Sequence, residues 1–173
     1  MRTLEVRRHS MRNIPDQHLS PAGIDLAKRV GATLGKFDRV ITSTLPRAFE
    51  TAVVMGYLVD EQLPELNTSS DAVEAEVQWD AGFEEWARVV KKGGMAFYFA
   101  QTQAALWRSI VEALPESGRA LIVTHGGFME AGTSALFPED VVAELGLFCS
   151  YCEGVRVMFD GDKAIKVEIL RVR

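Results

Sequence analysis

Ala120-Leu121-Ile122-Val123-Thr124-His125-Gly126-Gly127 is a continuous apolar run that ends on a histidine and two glycines. An exposed-face strand alternates apolar and polar residues, whereas an unbroken run is the pattern of a strand buried on both faces, as in a parallel sheet covered by helices. Residues 120–124 therefore read as a central strand, with His125 delivered at its carboxyl end. Gly126-Gly127 then opens a helix to about Leu136. Working outward, Thr3 to Val6 with the following arginines reads as a first strand, short and turning polar at Arg8-His9-Ser10, so His9 also sits at a strand's carboxyl end. Arg39 to Ser43 is another short strand. Pro46 and Arg47 follow it, in the first turn of a helix marked by Ala48, Thr51, Ala52 and Met55 and ended by Gly56.

The remaining chain fills in around these strands. Ser20 is an N-cap with Pro21 at the first helical position, and Leu26, Val30 and Leu34 then recur every four residues in a helix closing near Gly35. Periodicity fades and acids accumulate from Asp60 to about Asp80, which reads as an irregular crossover. Phe83 to Val90 is a short helix, broken by Lys91-Lys92-Gly93-Gly94. A longer helix runs from about Met95 to Leu114, with Pro115 as its stop. Two strands, Cys149 to Phe159 and Ala164 to Val172, are joined by the hairpin turn Asp160-Gly161-Asp162. Alternating strands and helices with a terminal hairpin predict an α/β fold: a three-layer sandwich, its central sheet mostly parallel with an antiparallel C-terminal edge. Ligands of such sheets bind beyond the strands' carboxyl ends, where His9, the Ser43 to Arg47 turn and His125 converge.

Composition narrows the function. The chain has 173 residues, 47% hydrophobic and 25% charged, the balance of an ordinary globule of one domain, residues 1–173. A net charge of -5 argues against nucleic acid as partner, because phosphate backbones are bound by clustered Lys and Arg. Without a signal-like start or a membrane-length apolar segment, the expected location is the cytoplasm, with no membrane partner. Cys149 and Cys152 lack the further ligands of a structural zinc site and enter a strand, not a helix start, so they read as buried and inert. With no acidic metal cluster or phosphate-binding glycine loop, neither metal nor cofactor is expected. His18, in a polar loop, reads as solvated.

Arg8, Arg47, His9 and His125 at one sheet edge suit a phosphoryl group. Two guanidiniums that stay charged at neutral pH can hold it by bidentate hydrogen bonds. A neutral imidazole can attack phosphorus in line, the role given to His9 beside Arg8. A second, protonated imidazole, His125, can stabilise charge on the equatorial oxygens.

The same residues carry a family resemblance. Arg8-His9-Ser10 resembles the Arg-His-Gly signature of the histidine phosphatase superfamily, the phosphoglycerate-mutase-like fold. Leu19-Ser20-Pro21-Ala22-Gly23 resembles its Leu-Thr-x-x-Gly helix start. Ser43-Thr44-Leu45-Pro46-Arg47-Ala48-Phe49-Glu50-Thr51-Ala52 is similar to its second-arginine motif, and Val123-Thr124-His125-Gly126-Gly127 to its second-histidine motif. The resemblance implies a phosphohistidine at His9 and a phosphate pocket completed by Arg8, Arg47 and His125. Ser10 departs from the usual glycine and Met11-Arg12 from the usual Glu-Thr. Arg12 is either a third positive contact or a solvated side chain. The family takes its general acid from the crossover after the second arginine, or from an aspartate directly after the second histidine, a position Gly126 fills here. Glu74 is chosen by approximate spacing, with Asp71 and Glu76 as the other candidates.

These features together predict a phosphatase that hydrolyses a phosphomonoester or phosphohistidine, acting on a phosphorylated small molecule or a phosphohistidine protein. In size the chain is similar to the compact members that act on phosphohistidine proteins. A phosphoglycerate-mutase-type transfer and a non-catalytic phosphate-binding module are the competing readings, the latter motivated by Ser10 and the unsettled acid.

Overall fold

A computed structural model describes residues 1–172; Arg173, within the expected domain, lies outside the described residues. The chain runs β1 (Arg2–Arg8), α1 (Pro21–Gly31), β2 (Arg39–Thr42), α2 (Pro46–Val54), β3 (Glu61–Gln62), a 3-10 turn (Pro64–Leu66), α3 (Asp71–Glu74), α4 (Phe83–Val90), α5 (Met95–Glu112), β4 (Arg119–Thr124), α6 (Phe128–Leu136), α7 (Glu139–Ala143), β5 (Gly154–Asp160) and β6 (Lys163–Leu170). Six strands form one sheet in the order β3-β2-β4-β1-β5-β6. β3, β2, β4 and β1 pair in parallel, and β5 and β6 add the antiparallel edge. The expected α/β architecture is the one found. No helix among the described residues is long and apolar enough to cross a membrane.

Each face of the sheet is closed by helices whose apolar residues explain their placement. Leu4 and Val6 of β1 and Ile122 of β4 pack with Phe83, Trp107 and Met129 of α4, α5 and α6. On the other face, Val40, Leu121 and Val123 meet Ala48 and Ala52 of α2, and α1 packs beside α2 through Leu26, Val30 and Met55. Phe83, Trp86 and Trp107 are fully buried, and truncating such a ring to alanine typically costs about 3–5 kcal/mol.

Several boundaries differ from the sequence reading. α1 stops at Gly31, short of Gly35, because Thr33 and Leu34 donate tight bonds back to Val30 and Gly31 and the Thr33 hydroxyl also takes the Val30 carbonyl. β5 begins at Gly154: residues 149–153 form a turn in which Cys152 has φ 60° and its N–H reaches the Arg8 carbonyl. The crossover holds β3, the 3-10 turn and α3. Each is too short to carry a period, and α7 offers only Val142 to the core.

Glu5 ties the central strands together. Its side chain is fully buried and takes bonds from Arg7 (3.0 Å), Arg119 of β4 (3.0 Å) and Arg156 of β5 (2.9 Å). Burial alone would raise its pKa, but Arg7 and Arg156 outweigh that and hold it below the ordinary range. Removing one member of a buried ionic group strands the others, at a typical cost of about 3–5 kcal/mol. Glu5→Ala should therefore lose about that much stability in urea denaturation; a loss below about 1 kcal/mol would mean that solvent relieves the three arginines without it.

Candidate active site

The register of β1 on β4 sets the site. Arg8 pairs with Thr124, and the His9 N–H donates to the Thr124 carbonyl at 2.8 Å, so His9 and His125 leave adjacent parallel strands at the same level. Their ring centroids lie 5.1 Å apart with planes tilted by 57°. Both rings are buried. His9 Nδ1 lies 2.7 Å from the Ser10 carbonyl, which can only accept, so Nδ1 carries the proton of the neutral ring. Nε2 is left with its lone pair, and Arg47 Nε–H donates to it at 3.0 Å.

Local packing fixes these side chains. Pro46 begins α2 and places Arg47 in its first turn. The Thr51 hydroxyl donates to the Arg47 carbonyl and accepts the Ser10 N–H at 2.9 Å, joining α2 to the histidine loop. Ser10, where the family has glycine, is buried and donates its hydroxyl to the Gly23 carbonyl at 2.7 Å, so it anchors α1. Gly23 itself is required by contact, since a Cβ there would sit 2.0 Å from the Met11 carbonyl oxygen. Arg8 donates to the Cys149 carbonyl at 3.1 Å, with its guanidinium carbon 4.8 Å from the centre of the Tyr151 ring. Ser43, at the end of β2, pairs with His125 Nε2 at 2.7 Å. Arg8 Nε and His125 Nδ1 are buried and find no partner among the described residues. In most proteins such atoms are satisfied, so each is a candidate contact for a ligand.

Arg8, His9, Arg12, Arg47, His125 and Glu74 all line one cleft of about 340 Å³. Arg12 therefore lies on the cleft wall, braced by the Pro15 and Asp16 carbonyls at 3.4 and 2.9 Å. Glu74 stands at the rim and is exposed, so the burial expected of a proton-carrying acid is not found there. Glu76 accepts the Met95 and Ala96 N–H groups and caps α5, which holds its pKa below the ordinary carboxylate range, and neither it nor Asp71 lines the cleft. His18 is exposed and paired with Glu50. Cys149 and Cys152 are buried in separate apolar clusters, and burial pushes both thiols up, away from the reactive thiolate. A second cleft, of about 370 Å³, is lined by Arg7, Arg29 and Arg171; Arg7 is committed to Glu5 and Arg171 to Glu153, and no imidazole faces it.

Electrostatics hold both imidazoles neutral. Burial first, then Arg47, Arg8 and Arg12, push His9 down to about 3 against the opposing Ser10 hydrogen bond. Burial, then His9 and the same arginines, push His125 down to about 2. The protonated His125 expected from the sequence is therefore not what the protein's own charges favour. A proton there requires the negative charge of a phosphoryl group to oppose the guanidiniums.

Sequence reasoning missed four supports. Glu130 is fully buried on α6 and accepts the Gly127 N–H (2.9 Å) and the Cys149 N–H (2.8 Å). It thereby joins the His125 turn to the segment that braces Arg8. Gly127 makes the turn with φ 86°, and a Cβ there would meet the Trp79 ring at 2.1 Å. The one charged residue in the helix is the available signal for Glu130. Ser43 lies in the second-arginine motif without a role assigned from sequence. Trp79 lies in the irregular crossover, which gives no period, and Tyr151 in a turn that the sequence reading places in a strand.

The sequence model of the histidine phosphatase superfamily (branch 1) matches residues 2–170. No curated protein matched the chain. Among solved structures, it is similar to phosphoserine phosphatase from Entamoeba histolytica (15% identity, TM-score 0.72, covering 100% of this chain and 98% of that one). It is also similar to phosphoglycerate mutase from Bacillus anthracis (19%, 0.70, 97% and 92%) and to a mycobacterial glucosyl-3-phosphoglycerate phosphatase (18%, 0.65, 97% and 96%).

The depressed imidazoles make stability depend on pH. Between about 3 and the ordinary 6.5, the unfolded chain binds protons that the folded His9 does not, and His125 behaves alike from about 2, so stability rises with pH across that window. Unfolding free energy measured in urea should fall as pH drops from 6.5, by up to about 1.4 kcal/mol per pH unit for each ring. His9→Asn with His125→Asn should flatten the slope. An unchanged slope in the double variant would place the dependence in other groups.

Proposed function

Because the chain belongs to the histidine phosphatase superfamily, we propose that it is a phosphatase that hydrolyses a phosphomonoester or phosphohistidine through phosphorylation of His9. The observation that carries this reading is the fixed tautomer of His9: Nδ1–H is spent on the Ser10 carbonyl, which leaves the Nε2 lone pair beside the Arg47 guanidinium. A phosphoryl group entering the cleft takes Arg47 from Nε2 onto its own oxygens. Nε2 then attacks phosphorus in line, and the bond to the leaving group breaks opposite. Arg8, Arg47 and Arg12 neutralise the equatorial oxygens. His125, its pKa raised by that dianion, takes a proton from solvent as the substrate binds and donates a hydrogen bond to one oxygen. Glu74 at the rim, or a water beside it, supplies the proton to the departing oxygen. In the second step water attacks the phosphohistidine and Glu74 takes its proton, which releases phosphate and restores His9.

The substrate is a phosphorylated small molecule or a phosphohistidine protein, and the residues need no cofactor for these steps. A mutase, as one relative is named, must keep the phosphoryl group from water while its substrate turns. Exposed Ile14 and Glu74 at the cleft mouth favour access of water and hence hydrolysis.

Rapid-quench assay with 4-nitrophenyl phosphate should detect acid-labile phosphate on the wild-type protein and none on His9→Ala, with the variant's fold unchanged by circular dichroism. Labelling of His9→Ala would reject the nucleophile, and tight phosphate-analogue binding without product release would make the protein a binding module. Glu74→Gln should lower kcat/KM, which reports the phosphorylation half-reaction, by on the order of 100-fold for an alkyl phosphate yet change it little for an aryl phosphate, because the aryl leaving group needs no proton. Equal losses on both substrates would assign Glu74 to substrate positioning instead.

A further inference from the structure

The cleft has a charged floor, and its mouth sets Ile14 and aromatic rings beside the polar Asn67, Ser69 and Glu74. On the floor, Arg8, Arg12 and Arg47 are the cations among the lining residues, and the proposed reaction commits all three to the phosphoryl oxygens. An aromatic ring flanks each imidazole. Tyr151 lies 5.8 Å from His9 between ring centroids, and Phe128 lies 6.0 Å from His125. Trp79 extends the Phe128 side as a stacked neighbour at 5.9 Å and 17°. Ile14, 80% exposed, projects at the mouth. The Asn67 side-chain oxygen is taken by the Thr44 N–H and hydroxyl. The one acid of the lining is Glu74.

A leaving group held here meets aromatic rings and an aliphatic side chain. A second anionic group on the substrate would find no uncommitted cation among the lining residues and would lose hydration against Ile14 and Trp79 with no opposite charge to replace it. We propose that the site selects phosphomonoesters with a flat, uncharged, unsaturated leaving group and discriminates against acidic ones such as phosphorylated hydroxy acids. The selection rests on the phosphatase reading for its use in turnover, but it is a property of the mouth and can be read by binding alone.

The test uses pairs that differ only in a remote carboxylate. Benzyl phosphate should exceed 4-carboxybenzyl phosphate in kcat/KM by about tenfold or more, and benzylphosphonate should exceed 4-carboxybenzylphosphonate in calorimetric affinity by a similar factor. Ile14→Lys should narrow both ratios by admitting the carboxylate. Trp79→Ala should weaken benzylphosphonate several-fold more than methylphosphonate. Equal binding of the two benzylphosphonates, or tighter binding of the carboxylated one, would overturn the proposal. Selective phosphonate binding without hydrolysis of either ester would keep it and reject the phosphatase reading instead.

Discussion

The pairing of Arg8 with Thr124 across two parallel strands is the constraint on which the site depends. Side chains alternate faces along a strand, so a slip of one residue would turn His9 away from His125 and exchange the apolar face of β1 with the buried face that carries Glu5 and Arg7. The register is held from both flanks. The Glu5 carboxylate gathers Arg119 from β4 and Arg156 from β5 onto β1, and Leu4 and Val6 fill the opposite face against α5 and α6. Stability and the candidate site thus share one strand, with a buried ionic knot in its middle and His9 one residue past its end.

That arrangement carries an electrostatic tension. Two buried imidazoles and three guanidiniums share a cleft whose one acid stands exposed at the rim. The rings yield by staying neutral, and even Arg47 is shifted downward, by burial first and then by Arg12 and Arg8. A dianion opposes the repulsion among these positive groups, which is why such a cluster reads as preorganised for an anion and not as a structural salt-bridge network. The same fields keep His9 unprotonated well below neutral pH, the state that the proposed attack on phosphorus requires.

Much of this was legible in the sequence because a few patterns are physically unambiguous. The unbroken run of residues 120–124 has no exposed-strand reading, Ser20-Pro21 marks a helix start, and Pro46 placed Arg47 above a strand end. The polar residues at those strand ends then had to meet, because parallel strands present their carboxyl ends to one edge. Other features had no local signature. β3, α3 and α7 are shorter than one clear period, and the turn at Cys149 to Glu153 looked like strand because its apolar residues are buried without pairing. Glu74 was reached by spacing alone, and spacing could place it at the cleft but could not foretell its exposure. Glu76, equally acidic and two residues on, is consumed as a helix cap, a distinction that only the fold of the crossover makes.

In the proposed reaction His9 Nε2 is the atom that bonds phosphorus, with Arg8, Arg47 and His125 around the transferred group. A crystal structure of the protein with metavanadate tests it most directly, since vanadium adopts the five-coordinate geometry of in-line transfer. Vanadium should be bonded to His9 Nε2, with equatorial oxygens on Arg8, Arg47 and His125 and the apical oxygen facing Glu74. Vanadium bonded to His125, or an anion held by the arginines with His9 Nε2 still taking the Arg47 N–H, would contradict it.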